Sequence, residues 1–249
     1  MSSLEQETLI CFDCETTGLD PKEDRIIEIA VAKFTFKEIL DHYETLIDPE
    51  RPIPEETIRI HHISNDMVAG KPKVKEILPK VLKMIDNHIL VGHGIKLDVA
   101  FVQEECKRHQ IPCHLDENAY FDTLRMARLY GDSPVNSLEQ LRKHFNIAEE
   151  GAHRAMSDVT VNIEVFKYLA ESFRTTQELA KRLEKPILLK TMPLGKYKGR
   201  PFSAVPIEYL GWAVRKDFDQ DLIFSLRSEL KLRKKGNRFP QASNPFADL

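Results

Sequence analysis

The sequence predicts an α/β protein. Three observations carry that prediction: short apolar, β-branched runs near the N-terminus, helically spaced apolar residues after residue 73, and short strands recurring between those helices. Residues 8–14, TLICFDC, form an apolar run closed by Thr16, Thr17 and Gly18, which predicts a buried strand. Residues 25–36 predict a second, longer strand, and residues 42–47 a third that stops at Asp48-Pro49. Pro52 and Pro54 punctuate the start of 53–69, where apolar positions do not alternate, so short helical turns are expected. Val74, Ile77, Leu78, Val81, Leu82 and Ile85 keep the helical period and lead into a short strand, ILVGH. Helices are predicted at 97–108, 124–130, 137–144 and 157–173, with a short strand at 119–121. The sum is a mixed sheet flanked by helices.

Beyond residue 173 the texture changes. A helix at 176–183 bridges to ILLKTMPLGKYKGRPFSAV, which is rich in Gly, Pro and Lys, and two amphipathic helices are expected at 207–216 and 222–235. Charge changes with it: residues 1–173 hold 20 Lys and Arg against 31 Asp and Glu, while 174–249 hold 16 against 8. A basic piece of this kind offsets phosphate charge directly, whereas an acidic one needs cations to meet a polyanion.

At 249 residues, 42% hydrophobic and 30% charged, the chain has the composition of a folded globular protein and no apolar run approaching the ~20 residues of a membrane span. Glu5 and Glu7 stand where a secretory signal carries basic residues, so a cytoplasmic setting with reduced thiols is expected. Cys11 and Cys14 have zinc-like C-x-x-C spacing. No second pair accompanies them, and three positions apart on a strand they face opposite sides, so structural zinc is not expected.

Asp13 and Glu15 lie two apart at the end of the first strand and so share a face. Carboxylates this close repel one another unless a proton or cation intervenes, and their hard oxygens suit Mg²⁺ or Mn²⁺. The alternative is an exposed strand end. Asp98 is followed at once by apolar Val99, Ala100 and Phe101, so it needs a partner or caps its helix. Asp158 opens a helix that is apolar at Val161, Val165, Phe166 and Leu169, with His153 in the loop before it. A histidine there titrates near neutrality and can serve as a general base; the alternatives are a surface histidine and an aspartate held by the helix dipole.

FDCETTG, GHGIKLDVAF and HRAMSDV, in this order and spacing, resemble the three motifs of the DEDDh family of 3′-to-5′ exonucleases, which includes the proofreading (epsilon) subunit of bacterial DNA polymerase III. The resemblance spans roughly residues 9–169 and implies a ribonuclease-H-like fold. It implies that Asp13, Glu15, Asp98 and Asp158 hold two divalent cations, Mg²⁺ or Mn²⁺, while His153 deprotonates the attacking water. Thr16, Thr17 and Gly18 match family positions beside the terminal nucleotide, His61 a position near the substrate, and Asp122 a further family aspartate. Gly94 stands where relatives have Asn, Leu97 where they have an aromatic, and His62 where they have Gly. The segment 192–199, MPLGKYKG, with PIEYLGW at 206–212, resembles a small bacterial domain of unknown function. Lys196, Lys198 and Arg200 beside Tyr197 combine charge and stacking in a way suited to single-stranded nucleic acid; alternatively Tyr197, Phe202, Tyr209 and Trp212 form a mini-core.

The expected organisation is an exonuclease domain at 1–173, a linker or helix at 174–186, a small basic α+β domain at 187–235 and a flexible tail at 236–249. The expected function is metal-dependent 3′-to-5′ hydrolysis of DNA, at single-stranded or frayed ends, to nucleoside 5′-monophosphates. RNA trimming and a non-catalytic, polymerase-associated binding subunit are the alternatives. Nucleic acid is the expected partner, a DNA polymerase a possible second one, and no membrane is involved.

Overall fold

The computed structural model describes residues 3–130, 136–148 and 154–236. The chain divides into two compact units, 1–182 and 183–249. In the first unit, strands β1 (Leu9–Thr16), β2 (Ile26–Phe34) and β3 (Ile39–Leu46) form an antiparallel meander. Two short helices follow, α1 (Glu55–His61) and α2 (Asn65–Val68), then α3 (Val74–Ile85), β4 (Ile89–Gly92), α4 (Lys96–Arg108), β5 (Tyr120–Asp122) and α5 (Thr123–Tyr130). Helices α6 (Leu138–His144), α7 (Ala155–Ala170) and α8 (Thr176–Leu183) complete the series. The sheet order is β3-β2-β1-β4-β5, with β4 and β5 parallel to β1. This is the α/β mixed sheet that the pattern predicts.

Strand alternation sorts β1 between two layers. Ile10 and Phe12 join Val74, Ile77, Leu78 and Val81 of α3 and Phe101 and Val102 of α4 in one core. On the other face α7 packs, and Cys11 meets it: its thiol donates to Val159 O at 3.7 Å and receives Asn162 Nδ2 at 3.6 Å. Cys14 packs against the α3–α4 core instead, so the two cysteines do face opposite sides. Phe166 anchors α7 among Phe34, Phe36 and Phe121, with ring centroids 5.8 to 6.1 Å apart. Burying those rings is the largest apolar contribution on this face, since each aromatic removes well over ~100 Å² from water.

Several boundaries differ from the expected ones by one to three residues, and two of the shifts have a visible cause. Strand β3 starts at Ile39, because its pairing with β2 reaches back to Phe34. Helix α7 starts at Ala155, two residues early, because the Glu28 carboxylate accepts the Ala155 N–H at 3.1 Å and serves as a cap supplied from β2.

The second unit is built on helices α9 (Ile207–Ala213) and α10 (Gln220–Gly236). Among the described residues its β content is a single antiparallel bridge, Thr191 to Pro201. Met192, Phe202, Val205, Leu210, Ala213, Leu222 and Leu226 form its core. Asp221 accepts Ile187 N–H at 3.0 Å and Ser225 Oγ accepts Leu189 N–H at 2.8 Å, which ties the incoming extended chain to α10. Arg233, held by Glu229, donates to the carbonyls of Phe202, Ser203 and Val205 and closes the loop before α9. Of the expected flexible tail, residues 237–249 lie outside the described residues. Among the described residues no helix is long and apolar enough to cross a membrane.

Candidate active site

The site grows from an unequal pairing of β1. Its ladder with β4 ends at Cys11–Val91, while its ladder with β2 continues to Thr16. The last turn of β1 therefore borders the loop after β4 and the start of α4 rather than another strand. Asp98, in the first turn of α4, fills that gap: its Oδ1 accepts the Cys14 N–H at 3.0 Å. The expected alternative, capping of its own helix, is not what the carboxylate mainly does; it satisfies the strand edge.

Asp13 and Glu15 project to the α7 side, as alternation requires, and Asp158 in the first turn of α7 meets them. One oxygen from each of the three lies within 4.8 Å of the others. Asp98 stands outside that group of three but close enough to act on it. Burial, then Asp98, Asp158, Glu15 and Glu28, pushes the Asp13 carboxyl well above the usual carboxylate range. Burial, then Asp158, Glu28 and Asp98, raises Glu15 to about 8, with Arg154 opposing. Burial raises Asp98 to about 7 against the pull of the Cys14 amide and its own. The common physical content is a set of half-buried acids crowded without sufficient counter-charge. A hard divalent cation relieves that crowding, and an all-carboxylate donor set fits Mg²⁺ or Mn²⁺ better than a softer metal.

Two residues overlooked in the sequence hold this arrangement. Glu28 of β2, opposite Glu15 in the ladder, is 0% exposed and takes both Arg154 Nε at 3.0 Å and Nη2 at 2.6 Å on Oε1. With its second oxygen on Ala155 N–H, it fixes the start of α7 and hence Asp158 three residues on. A lone Glu inside the apolar run IIEIAVA was the available signal, because a buried charge needs a partner.

Asp122 is buried at the end of β5, where its Oδ1 accepts Gly94 N–H and Leu124 N–H, each at 2.9 Å; it ties the loop after β4 to α5. Gly94 has φ +76°, a left-handed conformation that Gly and Asn both accept, so the Asn expected there from the family resemblance would fit as well. His62 has φ +60°, a position that favours the glycine of relatives. Leu97 is exposed beside Asp98 on α4.

The segment after β1 is tightly self-bonded. Thr16 Oγ1 donates to Gly18 O at 2.6 Å, and Thr17 Oγ1 donates to Asp24 Oδ1 at 3.1 Å while accepting Arg25 N–H at 3.0 Å. A Cβ on Gly18 would run into the Asp24 carboxylate, so a larger residue would displace the acceptor that Thr17 Oγ1 uses. His61 is 2% exposed, its Nδ1 accepts Ile63 N–H at 3.0 Å, and its Nε2 has no partner among the described residues. Burial lowers its pKa, so the ring is neutral with Nε2–H as a donor left over. His153 lies outside the described residues. Lys196, Lys198 and Arg200 belong to the second unit.

Residues 10–166 match the exonuclease family over more than half the chain. The chain belongs to the exonuclease family. Relatives with this domain include the DNA polymerase III subunit epsilon of Treponema pallidum, 35% identical over 168 residues, which cover 65% of this chain and 76% of the relative. The PolC-type DNA polymerase III of Clostridium perfringens is 35% identical over 170 residues, 68% of this chain; the match spans only 11% of that polymerase. Among solved structures, exonuclease X with 5′-overhanging duplex DNA superposes with a TM-score of 0.56 at 24% identity, covering 70% of this chain and 99% of that one. Escherichia coli exonuclease I with a dA16 oligonucleotide gives 0.61 at 18%, covering 72% and 42%. These two likenesses are of fold. Residues 180–236 separately match a family described as a putative quorum-sensing-regulated virulence factor. The exonuclease-family match thus includes every described carboxylate of the site, and ends before the second unit begins.

Proposed function

We propose that this exonuclease-family chain hydrolyses DNA from the 3′ end to nucleoside 5′-monophosphates, using two divalent cations, Mg²⁺ or Mn²⁺. The observation that carries the reading is the Asp13, Glu15 and Asp158 cluster, oxygens within 4.8 Å, on the fold and motifs of that family. Bound cations at such a site make a water nucleophilic at neutral pH and offset charge on the departing oxygen. Asp13, Glu15, Asp98 and Asp158 hold them, and Glu28 with Arg154 keeps Asp158 in place. His153 takes the proton of the attacking water. The backbone around Thr16, Thr17 and Gly18 bears on the terminal nucleotide, and His61 is a further substrate-side residue whose Nε2–H, buried in the free protein, reaches substrate only once it is uncovered. Lys196, Lys198 and Arg200 supply phosphate contacts from the second unit.

DNA is favoured over RNA because the solved relatives named above carry DNA, and a polymerase partner is supported by the names of the sequence relatives. A cytoplasmic location accords with such a role. The test is a gel assay of 5′-labelled single-stranded DNA and RNA of one sequence, with Mg²⁺, Mn²⁺ or EDTA. A ladder shortening from the 3′ end, metal-dependent and lost in Asp158→Asn, is expected, with DNA cut faster. Intact oligomers in both metals would overturn the reading, and faster loss of RNA would reassign the substrate.

A further inference from the structure

The two readings of the C-terminal aromatics predict different burial, and the structure separates them. The core of the second unit is aliphatic except for Phe202. Tyr197 and Tyr209 lie at its edge, half-buried, and Trp212 is outside it at 49% exposure. Tyr209 and Trp212 stand three apart on one side of α9, and Tyr197 comes from the preceding turn. Their rings follow one another, with centroids 4.7 Å apart from Tyr197 to Tyr209 and 5.2 Å from Tyr209 to Trp212.

Cations flank this row at both ends. Lys196 and Arg200 each lie 5.7 Å from the Tyr197 ring centre, and Lys216 lies 5.1 Å from that of Trp212. None of the three is ion-paired among the described residues, so no described carboxylate takes up their charge. Lys198, one of the three cations expected from the sequence, makes no ring contact; Lys216 takes that part. A cavity of about 400 Å³ opens beside the indole between Arg215, Lys216 and the single carboxylate Glu208. The turn carrying Tyr197 is shaped for this approach: Gly195 has φ +77°, and a Cβ there would lie 2.5 Å from the Tyr209 hydroxyl.

We propose that this row is a single-stranded nucleic-acid platform, in which a base stacks on the exposed indole of Trp212, backed by the two tyrosines, while Lys196, Arg200 and Lys216 contact the phosphates. An exposed indole face binds any base, and cations without a described carboxylate partner track the backbone, so the platform is sequence-tolerant and salt-sensitive. It extends the exonuclease reading to a second site and concerns binding, not turnover. Neither match to known families assigns it.

The chain supplies its own reporter, because Trp212 is its one tryptophan. The full-length protein in EDTA, where turnover is stopped, is titrated with a 15-residue oligothymidylate while tryptophan emission and the anisotropy of a labelled oligomer are read. Saturable quenching is expected. Trp212→Ala weakens binding about tenfold or more, and Trp212→Phe restores most of it. The Lys196→Gln, Arg200→Gln, Lys216→Gln triple variant lowers the slope of log K against log salt by about 2, at ~0.7 per lost phosphate contact. Unquenched emission, unchanged affinity of Trp212→Ala, or an unchanged salt slope overturns the platform. Equal quenching and competition by polyglutamate overturns it in favour of an acidic protein partner. Because no step requires cleavage, failure here leaves the metal-dependent gel assay to stand or fall alone.

Discussion

The two units handle charge in opposite ways. The first gathers acids where water is scarce: Asp13, Glu15 and Asp158 within 4.8 Å, with Asp98 close behind. The second spreads exposed cations around a half-buried tyrosine and an exposed tryptophan. Crowded, half-buried acids are energetically expensive alone and demand a small, highly charged ligand in fixed geometry. Exposed cations cost little and exchange their counter-ions easily, which suits a long, mobile polyanion. The difference teaches that one chain separates the fixed geometry of chemistry from the tolerant grip of binding.

Asp13→Asn tests the first half of that contrast most severely. It removes the carboxylate at the centre of the repulsion, and we expect kcat to fall by at least about a thousandfold, equivalent to ~4 kcal/mol, with Mn²⁺ binding weakened in calorimetry. In EDTA the same variant melts higher than the parent, since it relieves like-charge crowding. A lower melting temperature would show that the cluster does not strain the fold.

Glu28→Ala sharpens the same contrast by keeping every proposed metal ligand and removing their support. It exposes no charge as buried as Glu28 itself, because Arg154 is 41% exposed and regains water. We therefore expect a loss of about 2 kcal/mol in denaturant unfolding, below the ~3 to 5 typical of a fully buried pair. Metal affinity falls as well, and Glu28→Gln, which keeps the acceptor for Ala155 N–H, recovers part of it. Unchanged metal affinity would break the link between Glu28 and Asp158.

The pH dependence of metal-free stability follows from the raised carboxyls. Glu15 near 8 and Asp98 near 7 bind protons more tightly folded than unfolded. Their stabilising contribution is thus full below the ordinary carboxylate range and declines as pH rises towards 8. In EDTA the melting temperature falls between pH 5 and 8.5 by a few degrees, at ~2 to 4 °C per kcal/mol for a chain of this size. Mn²⁺ restores more of it at pH 8.5 than at pH 6, because protons no longer compete. A melting temperature that rises over this range in EDTA contradicts the crowded-acid description.

Gly195→Ala is the mildest test and bears on the second unit. The left-handed backbone and the Tyr209 hydroxyl both oppose a Cβ, at a cost of about 1 to 2 kcal/mol. Oligonucleotide affinity falls a few-fold while Mn²⁺ affinity holds; loss of both would deny the separation of roles.

How much of this was legible depended on residue type. Strand alternation alone put Asp13 and Glu15 on one face, and Val74 to Ile85 announced α3 by their spacing. Asp98 signalled a need for a partner, but the partner is a backbone amide at a strand edge, which exists only once β1 outruns β4. Glu28 was hidden in the other sense: an apolar strand advertised its burial, yet Arg154 is 126 positions away. The aromatics of the second unit were ambiguous because tyrosine and tryptophan suit cores and stacking surfaces equally; only burial tells them apart.

The described carboxylates of the site come from the beginning, middle and end of the first unit's sequence, at 13 and 15, 98 and 158. A chain emerging from the ribosome therefore carries no assembled carboxylate cluster until α7 has been synthesised and has docked on β1, since a domain of this kind folds as a unit. Order along the sequence thus keeps the carboxylate cluster unassembled until about two thirds of the chain, through Ala170, has been made.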